Sequence, residues 1–186
     1  AGIACGMKNT GIGNGVQDGS KVKVVIDSPT EITIHHGWTE MGQGVFTMAV
    51  QFLCEATGVN PNFISVKVDT SKDAPCGMTT ASRGTSLIGN SVLDAGNKLK
   101  ADLETHSLQE LVGREYVGEW VCDWTTAIEA DADEPQTHYS YSYATQVVTL
   151  DDSGKVENVF AAHDAGRIVN PILFEGQLEG SVHMGL

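Results

Sequence analysis

The chain has 186 residues, 41% hydrophobic and 19% charged, enough to bury a core in one domain or two small ones. Its formal net charge of -13, from 24 acidic and 11 basic residues, repels a phosphate backbone and argues against nucleic acid as a partner. No apolar run approaches the roughly 20 residues that span a bilayer, so no membrane association is expected.

Four cysteines, Cys5, Cys54, Cys76 and Cys122, stand far apart without a C-x-x-C pair. That spacing favours reduced thiols in a cytoplasmic protein over zinc or a disulfide framework. The first residues, "AGIACGMKNTG", lack a basic stretch followed by an apolar one, so no export signal is expected. Both ends read as cut. There is no initiating Met, and Leu173, Leu178, Val182 and Leu186 keep helical spacing to the last residue, as expected for a piece of something longer.

In chain order, glycines at 2, 6, 11, 13, 15 and 19 imply a strand that breaks into a loose loop, with "QDGS" as turn chemistry. "KVKVVID" and "EITIHHG" alternate with period two around "SPT" and predict paired antiparallel strands. Residues 44–57 are apolar on nearly every side, as in a helix sunk inside a larger protein, and Gly58 stops it. "NFISVKVDTS" returns to alternation and predicts a strand. A second helix is expected from near Thr85, since Ile88, Val92, Ala95, Leu99 and Leu103 recur every three or four residues. Residues 106–136 read as a connecting excursion, partly strand, with an acidic group at Glu129, Asp131, Asp133 and Glu134 that reads as solvated surface. "HYSYSYATQVVTLDD", "SG" and "KVENVFAAHDAG" predict a hairpin. Asn170 then caps a last helix, with Pro171 in its first turn.

The pattern is α+β, with helices packed on mixed or antiparallel sheets and room for two similar lobes. Residues 1–105 form a first lobe, 106–136 the excursion, and 137–186 a hairpin with the start of a C-terminal helix of a second lobe.

Three stretches could hold chemistry. Thr39-Glu40-Met41-Gly42-Gln43-Gly44 heads the first helix, where unpaired backbone N–H groups and a partial positive charge can hold an anion or an electron-rich heterocycle without a lysine. Gln43 both donates and accepts, which suits a pterin-like edge; equally, the glycines could serve a tight turn with Gln43 capping its own helix. In "CGMTTASRGTSLIGNS", Thr79, Thr80, Ser82, Thr85 and Ser86 crowd ahead of the second helix as another anion cradle. There Arg83 either reaches phosphate or carboxylate or lies on the surface. In "GQLEG", Gly176 and Gly180 each cost about 1 kcal/mol in a helix interior, which close packing on a neighbour or ligand would offset, and Gln177 could face the same ligand as Gln43. His35, His36, His163 and His183 make no H-x-x-x-H or H-E-x-x-H pattern, and neither a His metal site nor a Ser/His/Asp hydrolase is supported.

Taken in order, "GWTEMGQGVFTMAVQ", "TTASRGTSLIGN" and "HDAGRIVNPILFEGQLEGSVHMGL" resemble the molybdenum-cofactor-binding region of the xanthine dehydrogenase and aldehyde oxidase family, over essentially the whole chain. "TTASRGT" and "THYSYSYATQVV" are more similar to bacterial purine-hydroxylase and selenium-dependent xanthine dehydrogenase branches. The resemblance implies hydroxylation of a purine, another N-heterocycle or an aldehyde with oxygen from water. It also implies a molybdenum-molybdopterin cofactor, with or without a dinucleotide extension, and iron-sulfur and FAD centres on other domains or subunits. By motif, Met41, Gly42 and Gln43 would contact the pterin or the molybdenum ligands. Thr80, Ala81, Ser82 and Gly84 would cradle pyrophosphate and pterin, and Gln177 would hydrogen-bond the pterin.

The family's "GGxFGGK"-like and "RGFG"-like loops are expected before residue 1, and its "GEPP"-like segment with the glutamate base after residue 186. No residue here is assigned a catalytic or metal-ligating role, Glu40, Glu175 and Glu179 included, and the isolated chain is expected to be inactive. A non-catalytic module binding a nucleotide or other anion at its helix starts is the rival reading.

Overall fold

The computed structural model describes residues 1–69 and 71–186, so Thr70, near the end of the "NFISVKVDTS" segment, lies outside the described residues. Strand β2 (Asp18–Ser28) buries every second residue, with Val22, Val24 and Ile26 fully covered and Lys21 and Lys23 turned outward. That alternation is the period-two pattern of a sheet with one face on a core. β3 (Glu31–His35) returns antiparallel beside β2, and the chain then crosses through helix α1 (Val45–Thr57) to lay β4 (Ile64–Lys67) parallel to β3. A parallel neighbour needs such a crossover, because a tight turn can only reverse the chain.

α1 ends as its sequence predicts: Gly58 is left-handed (φ 72°) and its N–H donates to Cys54 O at 2.8 Å. Helix α2 (Gly84–Leu103) lies beside α1, and its buried stripe Leu87, Ile88, Val92, Ala95 and Leu99 joins the β2–β3 valines and isoleucines in one core. The stretch read as an excursion contributes a full strand, β5 (Glu115–Cys122), antiparallel to β2, giving the sheet order β4-β3-β2-β5. α2 crosses β5 so closely that a Cβ on Gly118 would sit 1.9 Å from Ser91 O; only glycine permits that approach.

A second, three-stranded antiparallel sheet has the order β1-β6-β7. β1 (Gly2–Thr10) pairs with β6 (Ser140–Leu150), from Gly2 opposite Val148 to Thr10 opposite Ser140. β6 and β7 (Val156–Asp164) form the expected hairpin, its turn held by the Asp151 carboxylate, which accepts from the N–H of Ser153 and Lys155. Helix α3 (Pro171–Gly185) follows, with Asn170 Oδ1 accepting from Leu173 N at 3.0 Å as the predicted cap. No residue of β1, β6, β7 or α3 is buried. The structure is therefore α+β, with mixed and antiparallel sheets and packed helices. No helix among the described residues is long and apolar enough to cross a membrane.

Candidate functional site

The three helix starts are finished in three different ways. At α1, Glu40 folds back and its carboxylate accepts from the N–H groups of Gly42 and Gly44, both at 2.9 Å, and Phe46 at 3.1 Å. Burial pushes the Glu40 carboxyl up, but the N–H groups of Phe46, Gly44, Gly42 and Val45 outweigh it and hold the carboxyl below its ordinary range. The N–H groups expected to be open for an anion at this helix are thus occupied by the chain's own carboxylate, the most accessible negative charge to a helix N-terminus. Gln43 does not cap the helix: its Nε2 donates to Thr39 O at 2.7 Å and its Oε1 accepts from Met41 N at 2.6 Å, closing the turn on itself. Gly44 is left-handed (φ 81°), and a Cβ there would lie 2.7 Å from Leu173 Cδ1, so the turn also seats the first turn of α3.

At α3 the Asn170 side chain does two things. Its Oδ1 caps its own helix, and its Nδ2 donates to Gln51 Oε1 of α1 at 2.7 Å.

At α2 no side chain caps the helix. Ala81 (φ 55°) and Ser82 (φ 51°) are both left-handed without being glycine, a conformation that holds only where surroundings enforce it. They are enforced by Gly11 N, which donates to Ala81 O at 3.1 Å, and by Arg83. Arg83 is neither a surface residue nor a free ligand for phosphate, contrary to both readings of the sequence. It is buried, ion-paired with Asp18, stacked over Trp38 at 5.1 Å, and its Nη2 donates to Cys76 O at 3.0 Å and its Nε to Met78 O at 3.0 Å. A fully buried guanidinium needs its counter-ion and its carbonyl acceptors at once, and the 76–82 loop is shaped to supply them. Thr79 Oγ1 accepts from Thr39 N at 3.1 Å, joining this loop to the α1 turn.

A cleft of about 420 Å³ opens between these pieces, within the size range of small-molecule sites. Gln43 and Met48 line it from the α1 side, Ser82, Thr85 and Ser86 from the α2 start, and Arg167, Asn170, Phe174 and Gln177 from α3 and its approach. Thr10, Ser140 and Ser142 add hydroxyls from the edge of the second sheet. No Asp or Glu lines it, and its one charged side chain is Arg167.

The cleft thus brings together Gln43, Ser82 and Gln177, which are far apart in sequence. Met41 is 69% exposed, and Met41, Gly42, Thr80, Ala81 and Gly84 border these segments without lining the cleft. Gly176 and Gly180 meet no neighbour that a Cβ would touch, so the close packing expected at them is not made within this chain. Arg167 and the hydroxyls of Thr10, Ser140 and Ser142 are cleft residues that the sequence reading missed. The one signal for Arg167 was a basic residue three positions before a helix cap in an acidic chain.

His36 is buried, accepts from Trp38 N at its Nδ1 (3.1 Å) and packs edge-on to Phe46; burial, only partly opposed by Glu40, lowers its pKa to about 4. It is a neutral core histidine. Among the described residues no three or more His, Cys, Asp or Glu side chains cluster as metal ligands.

A model of the molybdopterin cofactor-binding domain matches residues 1–115 and 104–186. The chain belongs to this family. It is 27% identical over 218 residues to a probable xanthine dehydrogenase subunit of Bacillus subtilis (strain 168), covering 100% of this chain and 29% of that protein. With the xanthine dehydrogenase/oxidase of Rattus norvegicus it shares 28% identity over 192 residues, covering 91% of this chain and 14% of the relative. Its fold matches the aldehyde oxidoreductase from Desulfovibrio gigas with a TM-score of 0.86 at 24% identity, over 99% of this chain and 22% of that one. The chain spans less than a third of the length of these relatives.

Proposed function

We propose that this domain supplies one wall of a molybdenum-molybdopterin site in a xanthine dehydrogenase-like hydroxylase. Its substrate would be a purine, a related N-heterocycle or an aldehyde, oxidised with oxygen from water. The observation that carries this reading is the α2 start. Among the described residues it is the one of the three α-helix beginnings whose N–H groups meet no side-chain acceptor, since Glu40 serves α1 and Asn170 serves α3, and its hydroxyls face a carboxylate-free cleft that Gln43 and Gln177 also line. Helix-start N–H groups and hydroxyls suit an anionic, phosphorylated end, and glutamine amides suit the donor-acceptor edge of a fused heterocycle.

When bound, the cofactor would carry the two-electron redox chemistry, and the protein's part is binding, orientation and electrostatics. Ser82, Thr85 and Ser86 would hold the phosphorylated end. Gln177, exposed on α3, would hydrogen-bond the heterocycle. The Thr39–Gly44 turn would act through its shape, since the Gln43 amide is already spent on Thr39 and Met41. Glu40 is excluded as a proton acceptor because three backbone N–H groups hold its carboxylate. Electrons would leave to iron-sulfur and flavin centres on other domains or subunits, and the four free thiols suit a reducing, cytoplasmic setting.

The test is elemental and fluorescence analysis of the full-length protein purified from a host that makes the cofactor. Molybdenum and a pterin are expected in equal amounts, with lowered occupancy in Gln43→Ala and in Thr85→Val and no hydroxylase turnover by the isolated 186 residues. Active material free of both molybdenum and pterin would overturn the reading.

A further inference from the structure

The geometry points to Arg167 as the residue that makes this cleft select a phosphorylated ligand over its phosphate-free counterpart, an inference that rests on the cleft being the cofactor site. The chain has three arginines. Arg83 is ion-paired with Asp18 and Arg114 with Asp102, whereas Arg167 makes no ion pair or side-chain hydrogen bond among the described residues. In a protein of net charge -13 a guanidinium has many carboxylates to choose from. This one lies on the cleft wall, where there are none.

Its position is set by its neighbours. Three residues on, Asn170 is tied to Gln51 on α1, which anchors the segment between β7 and α3 to the far side of the cleft. Across from it stand Ser82, Thr85 and Ser86 at the uncapped start of α2. A phosphate or pyrophosphate group between the two walls would meet helix-start N–H groups and hydroxyls on one side and a planar, two-pronged cation on the other. Arg binds phosphate oxygens in pairs, in a way a neutral amide cannot. The absence of lining carboxylates leaves nothing to repel the group. A neutral heterocycle, by contrast, gains nothing from Arg167 and is held by Gln177.

The test is isothermal titration of the full 186-residue chain with inorganic pyrophosphate and, separately, with a phosphate-free pterin alcohol, for wild type, Arg167→Gln and Arg167→Lys. Arg167 is exposed and makes no ion pair or side-chain hydrogen bond among the described residues, so all three proteins are expected to melt together. The expected result is that Arg167→Gln weakens pyrophosphate about tenfold or more, Arg167→Lys restores part of the loss, and the pterin alcohol binds all three alike. Equal pyrophosphate affinity in wild type and Arg167→Gln would overturn the inference. So would a wild type that binds the pterin alcohol but not pyrophosphate, which would leave the cofactor reading intact. Failure to bind either probe would overturn both.

Discussion

The two sheets are built from similar alternating strands and finish in opposite surroundings. β2 and β3 place Val22, Val24, Ile26, Ile32 and Ile34 at zero exposure beneath α1 and α2, whereas β1 and β7 leave Ile3, Met7 and Phe160 more than half exposed. The register puts Ile3, Met7, Val147, Tyr143 and Phe160 on one face of the second sheet, so its apolar residues are as well aligned as those of the first. α1 and α3 differ in the same way: each follows a strand, but only α1 has buried residues. Alternation therefore tells that a strand has an apolar face, and the elements laid over it decide whether that face is a core. The packed half should hold the molecule's stability, and the open half should tolerate change.

The sharpest way to break this contrast is Asp18→Ala, which leaves Arg83 buried without its counter-ion. A loss of about 3–5 kcal/mol is expected in urea denaturation, and a loss below about 1 kcal/mol would show that the pair does not hold the 76–82 loop. Next comes a matched pair of truncations. Leu53→Ala, at zero exposure on α1, should cost about 2–5 kcal/mol, while Ile172→Ala, 81% exposed on α3, should stay within about 0.5 kcal/mol. Equal losses would mean that the α3 face is covered in solution.

Acid should also act through the packed half. Because the pKa of His36 is about 4 when folded, against 6.5 ordinarily, the unfolded chain takes up the proton first. Its share of stability is thus fully present above about pH 6.5, falls as pH drops toward 4 and then levels, by on the order of 3 kcal/mol in all. Urea midpoints measured between pH 7 and pH 4 check this, and a flat profile would place the imidazole in water. Two glycines repeat the contrast on a smaller scale than the Asp18 and Leu53 truncations. Gly118→Ala should cost about 1–3 kcal/mol because its Cβ strikes Ser91 O, whereas Gly176→Ala meets nothing and should add up to about 1 kcal/mol in thermal melts.

What the sequence disclosed follows from how local each signal is. Alternation in "KVKVVID", the stop at Gly58 and the Asn170-Pro171 start each depend on a few adjacent residues, and each appears in the structure. β5 was harder to read because it alternates buried Tyr116, Gly118 and Cys122 with exposed residues, and a glycine carries no hydrophobic signal. The pairing of β1 with β6 has no local mark at all. At the site, the convergence of Gln43, Ser82 and Gln177 followed their motifs, but the Glu40 cap and the inward turn of Arg83 did not. A carboxylate four residues before a glycine, or an arginine before a helix, reads the same whether it faces ligand or core, and only the partner, Asp18 in the case of Arg83, decides.

The β1–β6 pairing also governs the order of assembly. Cys5 and Thr145, in contact through Sγ and Oγ1 at 3.3 Å, are 140 residues apart. At about 5–20 residues per second of synthesis, β1 waits roughly 7–30 s for its mate β6 to emerge. During that wait the first sheet, which needs nothing beyond residue 122, can form and pack under α1 and α2. Strand β1, made before any strand of the first sheet, is thus stitched in after that sheet can close, and in the meantime its bare edge is open to the β6 of a neighbouring nascent chain.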